Sequence, residues 1–188
     1  MTDGLSAAGL ADAVKRIHDR VDNLRDALDA ADRVMGDGDT GMTIASVVAA
    51  WNGVIAADSP DVATLLKRMG RETRRATGSS LGSVLAIGLT AAGKSGGSPV
   101  QMLDAAATAI TERSGAVAGD KTILDSLLAV RDALARQRSA VDAAQQALDD
   151  FRSREAKVGR ARIYGAKSIG HDDPGMLAAL LLLRTAQA

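Results

Sequence analysis

Apolar residues recur at helical spacing along most of the chain. The first run, Leu10 to Leu28, steps by three or four residues and predicts one long amphipathic helix. Residues 78–92 are small and lack a polar face, which predicts a buried helix. Ser-Pro pairs at 59–60 and 98–99 are helix-start signals. Further helical spacing covers 44–55, 62–69, 103–110, 123–134, 141–151 and 176–183. The pattern predicts one all-α domain over 1–188, a bundle of about eight helices.

Composition supports a helical protein and excludes several classes of function. The chain has one Trp, one Tyr and one Phe, too few for a stacking platform that binds single-stranded nucleic acid. Its 23 basic and 23 acidic residues create no global field that favours nucleic acid or an anionic membrane. The absence of cysteine excludes disulfides and thiolate metal sites. No signal peptide or membrane span is apparent, so a cytoplasmic location is expected.

The residues at 32–41, DRVMGDGDTG, contain three carboxylates within eight positions. Alternating Gly and Asp allows the backbone to turn so that Asp32, Asp37 and Asp39 converge. Because Mg²⁺ prefers hard oxygen ligands and keeps positions for phosphate and water, this cluster is a candidate magnesium site. The helix that follows, near Thr40–Thr43, offers N-terminal N–H groups to phosphate. A helix-capping turn or a calcium loop is the alternative, although the ligand run of an EF-hand is missing.

Three further polar, Gly-rich breaks separate the predicted helices. TGSSLG at 77–82 offers hydroxyl and N–H groups to a phosphate or a sugar, or simply permits close helix packing. GDKTILD at 119–125 is explained by helix capping through Asp120 or Thr122. In the last break, GRA at 159–161 and GHDDPG at 170–175, Arg160 could bind phosphate bidentately. Four such breaks in one bundle indicate loops gathered into a site.

The segment Gly88–Ser95 matches the spacing of a P-loop, G-x4-G-K-S. A P-loop functions only between a buried strand and a helix whose N-terminus faces the phosphates. Here Lys94-Ser95 is followed by GGSP, which ends a helix, and no strand–helix alternation is present. A helix C-terminus is therefore the better interpretation.

Taken in order, D-x4-GDGD-x-G, a Gly/Ser loop, GDKT-x-x-D and GRA followed by GHxDPG resemble the nucleotide-binding L subunit of dihydroxyacetone kinases. The resemblance runs from Asp32 to Gly175. It implies an antiparallel barrel of eight helices with the nucleotide bound in loops at one end. Thr40 stands where many members have His, and in this respect the chain resembles the related fatty-acid kinase nucleotide domain. Leu81 interrupts the usual Gly/Ser run.

The resemblance also implies a role for individual residues. Two Mg²⁺ bound by the three aspartates would carry +4 against −3 and leave net positive charge for the phosphates of ADP or ATP. The phosphates would lie along Thr40, Gly41, Met42, Thr43, Ser79 and Ser80. Gly115 and Ile123 would border the adenine, and Arg160, Asp173, Pro174 and Gly175 would complete the pocket.

The implied function is that of an enzyme component that acts with a partner. In the family, a separate K subunit holds dihydroxyacetone or a similar short ketose, and the L subunit supplies the phosphoryl group. That group comes from ATP, or from bound ADP rephosphorylated by a phosphohistidine protein of the phosphotransferase system. The sequence leaves both sources open, together with a homodimer, a fatty acid as acceptor, and a non-catalytic module that binds ADP–Mg²⁺ and regulates a partner.

Overall fold

The computed structural model describes residues 5–56 and 61–188, and every regular element in these ranges is helical. The α-helices are α1 (Ala7–Arg20), α2 (Asp22–Met35), α3 (Thr40–Ile55), α4 (Val62–Ala76), α5 (Ser80–Ser95), α6 (Pro99–Ser114), α7 (Ile123–Ala135), α8 (Ala140–Arg152) and α9 (Pro174–Gln187). A 3-10 helix, Ala161–Ser168, precedes α9. The all-α prediction is confirmed. Each predicted helical run falls within a helix of the structure except the first, which spans α1 and α2, and the run 78–92, whose first two residues precede α5.

Side-chain caps define where most of these helices begin. Ser98 accepts from the N–H of Gln101, whose amide oxygen accepts from the N–H of Ser98, a reciprocal capping box ahead of Pro99. The start predicted at 98–99 is therefore confirmed, whereas the one at 59–60 lies outside the described residues. Thr122 and Asp125 form a second capping box at α7, which confirms Thr122 as a cap. Ser79 caps α5 and Asp173 caps α9.

The helices pack as a closed ring. Each helix from α3 to α9 packs against the next, α9 packs against α1 and α2, and these two pack against α3. Most connections are short, the exception being residues 153–173 between α8 and α9. Neighbouring helices therefore alternate in direction and the loops collect at the two ends of the ring. The main core inside the ring includes Leu28, Ile44, Val47, Leu65 and Met69. This is the helical barrel that the resemblance implied.

The single long helix predicted over Leu10–Leu28 is wrong in one respect, because the structure divides it at Val21. There the N–H of Val21 donates to the carbonyl of His18, and the N–H of Leu24 donates to that of Val21, a tighter i to i−3 pattern. Val21 keeps helical φ/ψ and is buried, so the hydrophobic period continues through the break. Periodicity alone cannot reveal this break, because both halves present the same apolar stripe.

The residues that match the P-loop spacing, Gly88–Ser95, are part of helix α5 and form neither a strand nor a loop. Gly93 packs so closely on α4 that an added Cβ would lie 2.6 Å from the carbonyl oxygen of Ala63. Lys94 lies in the last turn of α5, and Gly96 caps that turn. The rejection of a P-loop is confirmed. Among the described residues, no helix is long and apolar enough to cross a membrane.

Candidate functional site

A cleft of about 360 Å³ opens at one end of the ring. Its lining comes from the C-terminal turn of α2, the loop that follows it, the first turns of α3, α5, α7 and α9, the end of α6 and the segment at 158–161. The four polar breaks of the sequence therefore meet at one place. They meet because alternating helix directions return every second connection to the same end of the ring.

The acidic cluster lies on one side of the cleft. Asp32, Asp37 and Asp39 each contribute a carboxylate oxygen, and these oxygens lie within 4.8 Å of one another. Asp32 is buried, whereas Asp37 is exposed and Asp39 is partly exposed. Three converging carboxylates repel each other in the absence of a cation. Their oxygen donors and their partly open face suit Mg²⁺, which retains water or phosphate in its coordination shell.

Asp32 also fixes the start of α3. Its Oδ2 accepts from the N–H of Asp39 at 2.9 Å and from that of Thr40 at 3.2 Å. Asp29, one turn earlier on α2, accepts from the N–H of Gly41 at 2.6 Å. These carboxylates satisfy N–H groups that a helix N-terminus otherwise leaves unpaired. The first turn of α3 is consequently held against α2, and these N–H groups already have partners within the chain.

Gly36 leaves the room that the Asp32 carboxylate needs. A Cβ at this position would collide with Oδ1 of Asp32. Gly38, two residues later, has φ of +78°, a conformation that favours glycine. The GDGD alternation therefore has two separate causes, steric space at Gly36 and backbone conformation at Gly38.

Arg160 lies in the segment between α8 and the 3-10 helix, and its guanidinium forms an ion pair with Asp37 of the acidic cluster. Both side chains are about half exposed, 52% and 49%. A guanidinium beside the acidic cluster adds positive charge on this side of the cleft, and its planar fork suits phosphate oxygens. The structure thus brings Arg160 and Asp37 together, 123 positions apart in the sequence.

The remaining wall of the cleft is apolar. It comprises Leu81, Val84, Ile110, Ala116, Ile123 and Val158. Several of these residues belong to or pack against a core cluster built from Ala107, Ile110, Ala116 and Leu124. One cleft therefore offers a carboxylate cluster on one side and an apolar surface on another, the combination that accommodates a ligand with a charged end and an aromatic end.

Helix N-termini supply further positive potential. The caps Ser79, Thr122 and Asp173, which begin α5, α7 and α9, all line the cleft together with Ser80 and Gly175. A helix N-terminus carries partial positive charge and attracts anions. Three such ends facing one cleft favour a polyanionic ligand.

The carboxyl group of Asp173 has a strongly perturbed pKa. Desolvation raises this pKa to about 6, against the opposing hydrogen bonds from the N–H groups of Met176 and Gly175 and the attraction of Lys121. The residue as a whole is partly exposed and lines the cleft. In the folded protein this carboxylate therefore ionises only at near-neutral pH.

We expect Asp173→Asn to make the protein relatively more stable than wild type as the pH rises from 4 to 6. The pKa of Asp173 is about 6 in the folded protein against a model value of 3.8, so the wild type loses stability in that window. Asparagine caps a helix about as well as aspartate and does not ionise. Between pH 4 and pH 7 the free energy of unfolding of the variant should rise relative to that of the wild type by on the order of 2–3 kcal/mol, at about 1.4 kcal/mol per unit of pKa difference.

Urea unfolding of both proteins at pH 4, 5, 6 and 7 measures this difference. A stability difference that stays constant over the series would contradict the raised pKa.

Most of the predicted site residues line the cleft, and three do not. Those that line it are Asp32, Asp37, Asp39, Thr40, Thr43, Ser79, Ser80, Ile123, Arg160, Asp173, Pro174 and Gly175. Gly41 lies behind the acidic cluster, packed on α2. Met42 is 58% exposed in the first turn of α3, and Gly115 is the left-handed C-cap of α6, next to Ala116 of the apolar wall.

Sequence reasoning missed two residues that shape the site. Asp29 lies three residues before Asp32 on α2, and this i, i+3 spacing of carboxylates near a helix end was the available signal. Lys121 lies in the GDKT break that capping alone had explained, and its ammonium group is buried behind the site. No sequence signal distinguishes a buried lysine from an exposed one in a polar loop.

Comparison with known proteins gives a consistent result. The family model described as DAK2 domain matches residues 34–188. The L-erythrulose 1-kinase of Mycolicibacterium smegmatis is 33% identical over 173 residues, which cover 81% of this chain and 30% of that protein. The ADP-binding subunit DhaL of the PEP-dependent dihydroxyacetone kinase 1 of Listeria innocua is 27% identical, with 87% of each chain covered.

A solved structure is similar over nearly the whole chain. The dihydroxyacetone kinase of C. freundii, in complex with AMP-PNP and Mg²⁺, has a TM-score of 0.78 and 26% identity, covering 97% of this chain and 34% of that one. The chain thus spans about a third of several longer kinases, although it matches most of the length of the DhaL subunit.

Proposed function

Since the chain belongs to the DAK2 domain family and resembles the DhaL-type L subunits of dihydroxyacetone kinases, we propose that it is the nucleotide-binding component of such a phosphotransferase. It binds ADP or ATP with Mg²⁺ and supplies a phosphoryl group to a short ketose held by a separate K-type subunit. The observation that carries the proposal is the cleft in which three carboxylates within 4.8 Å of one another lie opposite an apolar wall.

Asp32, Asp37 and Asp39 are the residues that would hold the metal. Their oxygen donors fit Mg²⁺. We propose two ions, because +4 against the −3 of the aspartates leaves net positive charge for the phosphates, whereas one ion would leave the cluster net negative. When bound, these ions would neutralise negative charge on the phosphate oxygens during phosphoryl transfer. Asp32 is buried and hydrogen-bonded to the start of α3, so it orients the cluster, while the more exposed Asp37 and Asp39 face the cleft.

The other polar residues bind and orient the phosphates. Arg160 is within reach of the cluster and presents a guanidinium fork to phosphate oxygens. Ser79 and Ser80 place the N-terminus of α5 at the same cleft, where its partial positive charge attracts the polyphosphate. Thr40 and Thr43 on α3 add hydroxyl groups on the side of the aspartates.

The apolar wall fits an adenine ring. Ile123, Val158 and Leu81 contribute to a surface that buries an aromatic base without requiring charge. Pro174 and Gly175 start α9 at the same cleft, and the small Gly175 leaves room where an added Cβ would approach Asp173 and Ile123. These contacts orient the nucleotide so that its phosphates point to the acidic cluster.

The phosphoryl acceptor has to come from outside the cleft. The cluster lies at an open end of the ring, where a hydroxyl group presented by a partner can approach a terminal phosphate. In this arrangement the K-type subunit positions the acceptor, and the present chain positions the donor. The donor is either exchangeable ATP or resident ADP that a phosphohistidine protein of the phosphotransferase system rephosphorylates.

The proposal is tested in two steps. Calorimetry with ADP and ATP, with and without Mg²⁺, is expected to show binding that requires the metal. Transfer is then measured with a K-type dihydroxyacetone-binding subunit, supplying either ATP or a phosphorylated phosphotransferase-system protein. Metal-dependent binding without transfer to any acceptor would favour a regulatory module instead, and absence of nucleotide binding would refute the proposal.

The acceptor assay has to include a fatty acid bound to a carrier subunit. Thr40 occupies the position at which the chain departs from many dihydroxyacetone kinases, and it is buried at the edge of the cleft. Transfer to the fatty acid and not to dihydroxyacetone would assign the chain to a fatty-acid kinase.

Lys94→Ala is expected to leave Mg²⁺-dependent nucleotide affinity within about twofold of wild type. Lys94 lies at the end of α5 opposite the cleft, so it contacts no part of the proposed site. Surface substitutions away from special features change stability by only about 0.5 kcal/mol. The same calorimetric titration provides the measurement, and a loss of more than tenfold would return the P-loop interpretation to consideration.

A further inference from the structure

The chain between α8 and α9 forms a long loop whose two ends are tied together. At its neck, the guanidinium of Arg152 makes two hydrogen bonds to the carboxylate of Asp172, at 2.7 and 3.2 Å. The N–H of Gly170 donates to the carbonyl of Arg152 at 2.8 Å. Inside the loop, Ser168 accepts from the N–H of Ala156 and donates to the carbonyl of Gly165.

Lys121 enters this neck from the loop before α7. Its Nζ donates to the carbonyl oxygens of Arg154 at 2.9 Å and Ser168 at 2.8 Å, with a longer contact to that of Arg152 at 3.4 Å. All three donors of one ammonium group are therefore directed at backbone on both sides of the loop. Lys121 is only 1% exposed, and its φ of +62° is unusual for a residue with a side chain.

A buried ammonium group is costly unless its donors are satisfied. Here all three donors are used on backbone carbonyls. The carbonyls of Arg152 and Ser168 also accept from the N–H groups of Gly170 and His171, so Lys121 adds a bond at each end of the loop and satisfies the carbonyl of Arg154. The residue before Lys121 is bonded to the same loop, because the N–H of Lys157 donates to the carbonyl of Asp120 at 3.1 Å. Capping of α7 is performed by Thr122 and Asp125 and does not require Lys121.

The part of the loop that Lys121 secures is the part that reaches the cleft. Val158, Gly159, Arg160 and Ala161 line it, between the anchored residues 154 and 168. Ala161 packs with Ala156 against Met35 at the end of α2, and Arg160 pairs with Asp37. The tip of the loop is thus held over the acidic cluster, and its only polar side chain lining the cleft is Arg160.

We propose that Lys121 is a positioning residue for phosphate binding, which acts through Arg160 by fastening both ends of the loop that carries it. The proposal rests on the proposed function, because it takes the acidic side of the cleft to be the place where the phosphates of ADP or ATP bind. Lys121 does not touch the nucleotide. It fixes where the guanidinium of Arg160 stands relative to the aspartates.

The test is a double-mutant cycle with Lys121→Met and Arg160→Ala. Methionine keeps the length of the side chain and removes the ammonium. Calorimetry with Mg²⁺ and ADP is expected to show about tenfold weaker binding for each single variant, the scale seen when groups that orient a binding residue are removed. Because both changes remove the same interaction, Lys121→Met should cost less than about twofold in the Arg160→Ala background.

Hydrogen exchange of residues 153–170 supplies a second readout. We expect faster exchange in this segment of Lys121→Met, with helices α3 to α6 unchanged. The matched control is Ser98→Ala, which weakens a helix cap at the opposite end of the ring and should alter neither nucleotide affinity nor exchange at 153–170.

The outcomes separate this proposal from the proposed function. Wild type that does not bind Mg²⁺ and ADP refutes the proposed function. Wild type that binds, together with additive losses in the cycle or an unchanged affinity of Lys121→Met, refutes the role of Lys121. If Lys121→Met does not fold, Ser168→Ala takes its place in the cycle, because it removes the hydrogen bonds of the Ser168 hydroxyl within the loop. Coupling between Ser168→Ala and Arg160→Ala supports the proposal, and additivity overturns it.

Discussion

Asp37→Asn is expected to abolish Mg²⁺-dependent nucleotide binding while the helical fold remains intact. Asp37 is the most exposed member of the acidic cluster, and its known partner in the chain is Arg160 on the surface of the cleft. Removing its charge therefore breaks no buried contact, but it deprives a divalent cation of an anionic ligand. We expect the affinity for ADP with Mg²⁺ to fall by roughly 100-fold or more, since even residues that only orient metal ligands contribute 10–100-fold.

The matched control for this variant is Asp26→Asn. Asp26 lies on α2, the helix that carries Asp32, and its side chain is exposed. The substitution removes the same unit of charge at a position outside the cluster, so a general electrostatic effect would change binding in both variants, whereas loss of a metal ligand weakens it in Asp37→Asn alone. Calorimetry gives the affinities and far-UV circular dichroism gives the helical content. Loss of helical signal in Asp37→Asn would make the cluster structural, and unchanged affinity would exclude it as the metal site.

Gly41→Ala is expected to lower the free energy of unfolding by about 3 kcal/mol, near the upper end of the range for overpacked sites. An added Cβ would lie 2.5 Å from the carbonyl oxygen of Arg25 and 2.9 Å from its Cα. These are backbone atoms, so no side chain can turn aside to relieve the contact. The start of α3 would have to move away from α2, which would also strain the hydrogen bond from the N–H of Gly41 to Asp29.

Gly53→Ala, on the same helix, is the control for Gly41→Ala. No heavy atom lies within 4 Å of a Cβ built on Gly53, so this substitution should raise stability by about 0.5–1 kcal/mol through helix propensity alone. Urea unfolding followed by circular dichroism measures both variants. Opposite signs for the two substitutions are expected, and a stabilised Gly41→Ala would refute the close approach of α2 and α3.

Gly41 shows that a residue assigned to a binding site from a motif can instead hold the helices around that site together. Its resemblance-based role was to lie along the phosphates, and in the structure its N–H is bound by Asp29 while its Cα packs on α2. The prediction that Gly41 contacts phosphate stays untested, but its position explains why only glycine fits there. A motif records which residue is required and does not record whether the requirement comes from the ligand or from packing.

The fold was accessible from the sequence because local rules act over a few residues. The spacing of Leu10, Val14 and Ile17, or the Ser98-Pro99 start of α6, depends on contacts three or four positions away. The break at Val21 and the 3-10 helix at Ala161–Ser168 were not accessible. The hydrophobic period runs unchanged through the break at Val21, and residues 161–168 carry no helical spacing of apolar residues.

The acidic cluster was also determined locally, since Asp32, Asp37 and Asp39 are separated only by a short turn that two glycines allow. Tertiary structure decided everything that joins the cluster to the remainder of the site. It brought Arg160 to Asp37, raised the pKa of Asp173 through desolvation, and buried Lys121 among carbonyls from a loop more than thirty positions away. Burial and long-range pairing depend on how the whole ring closes, and no local pattern of residue types records that closure.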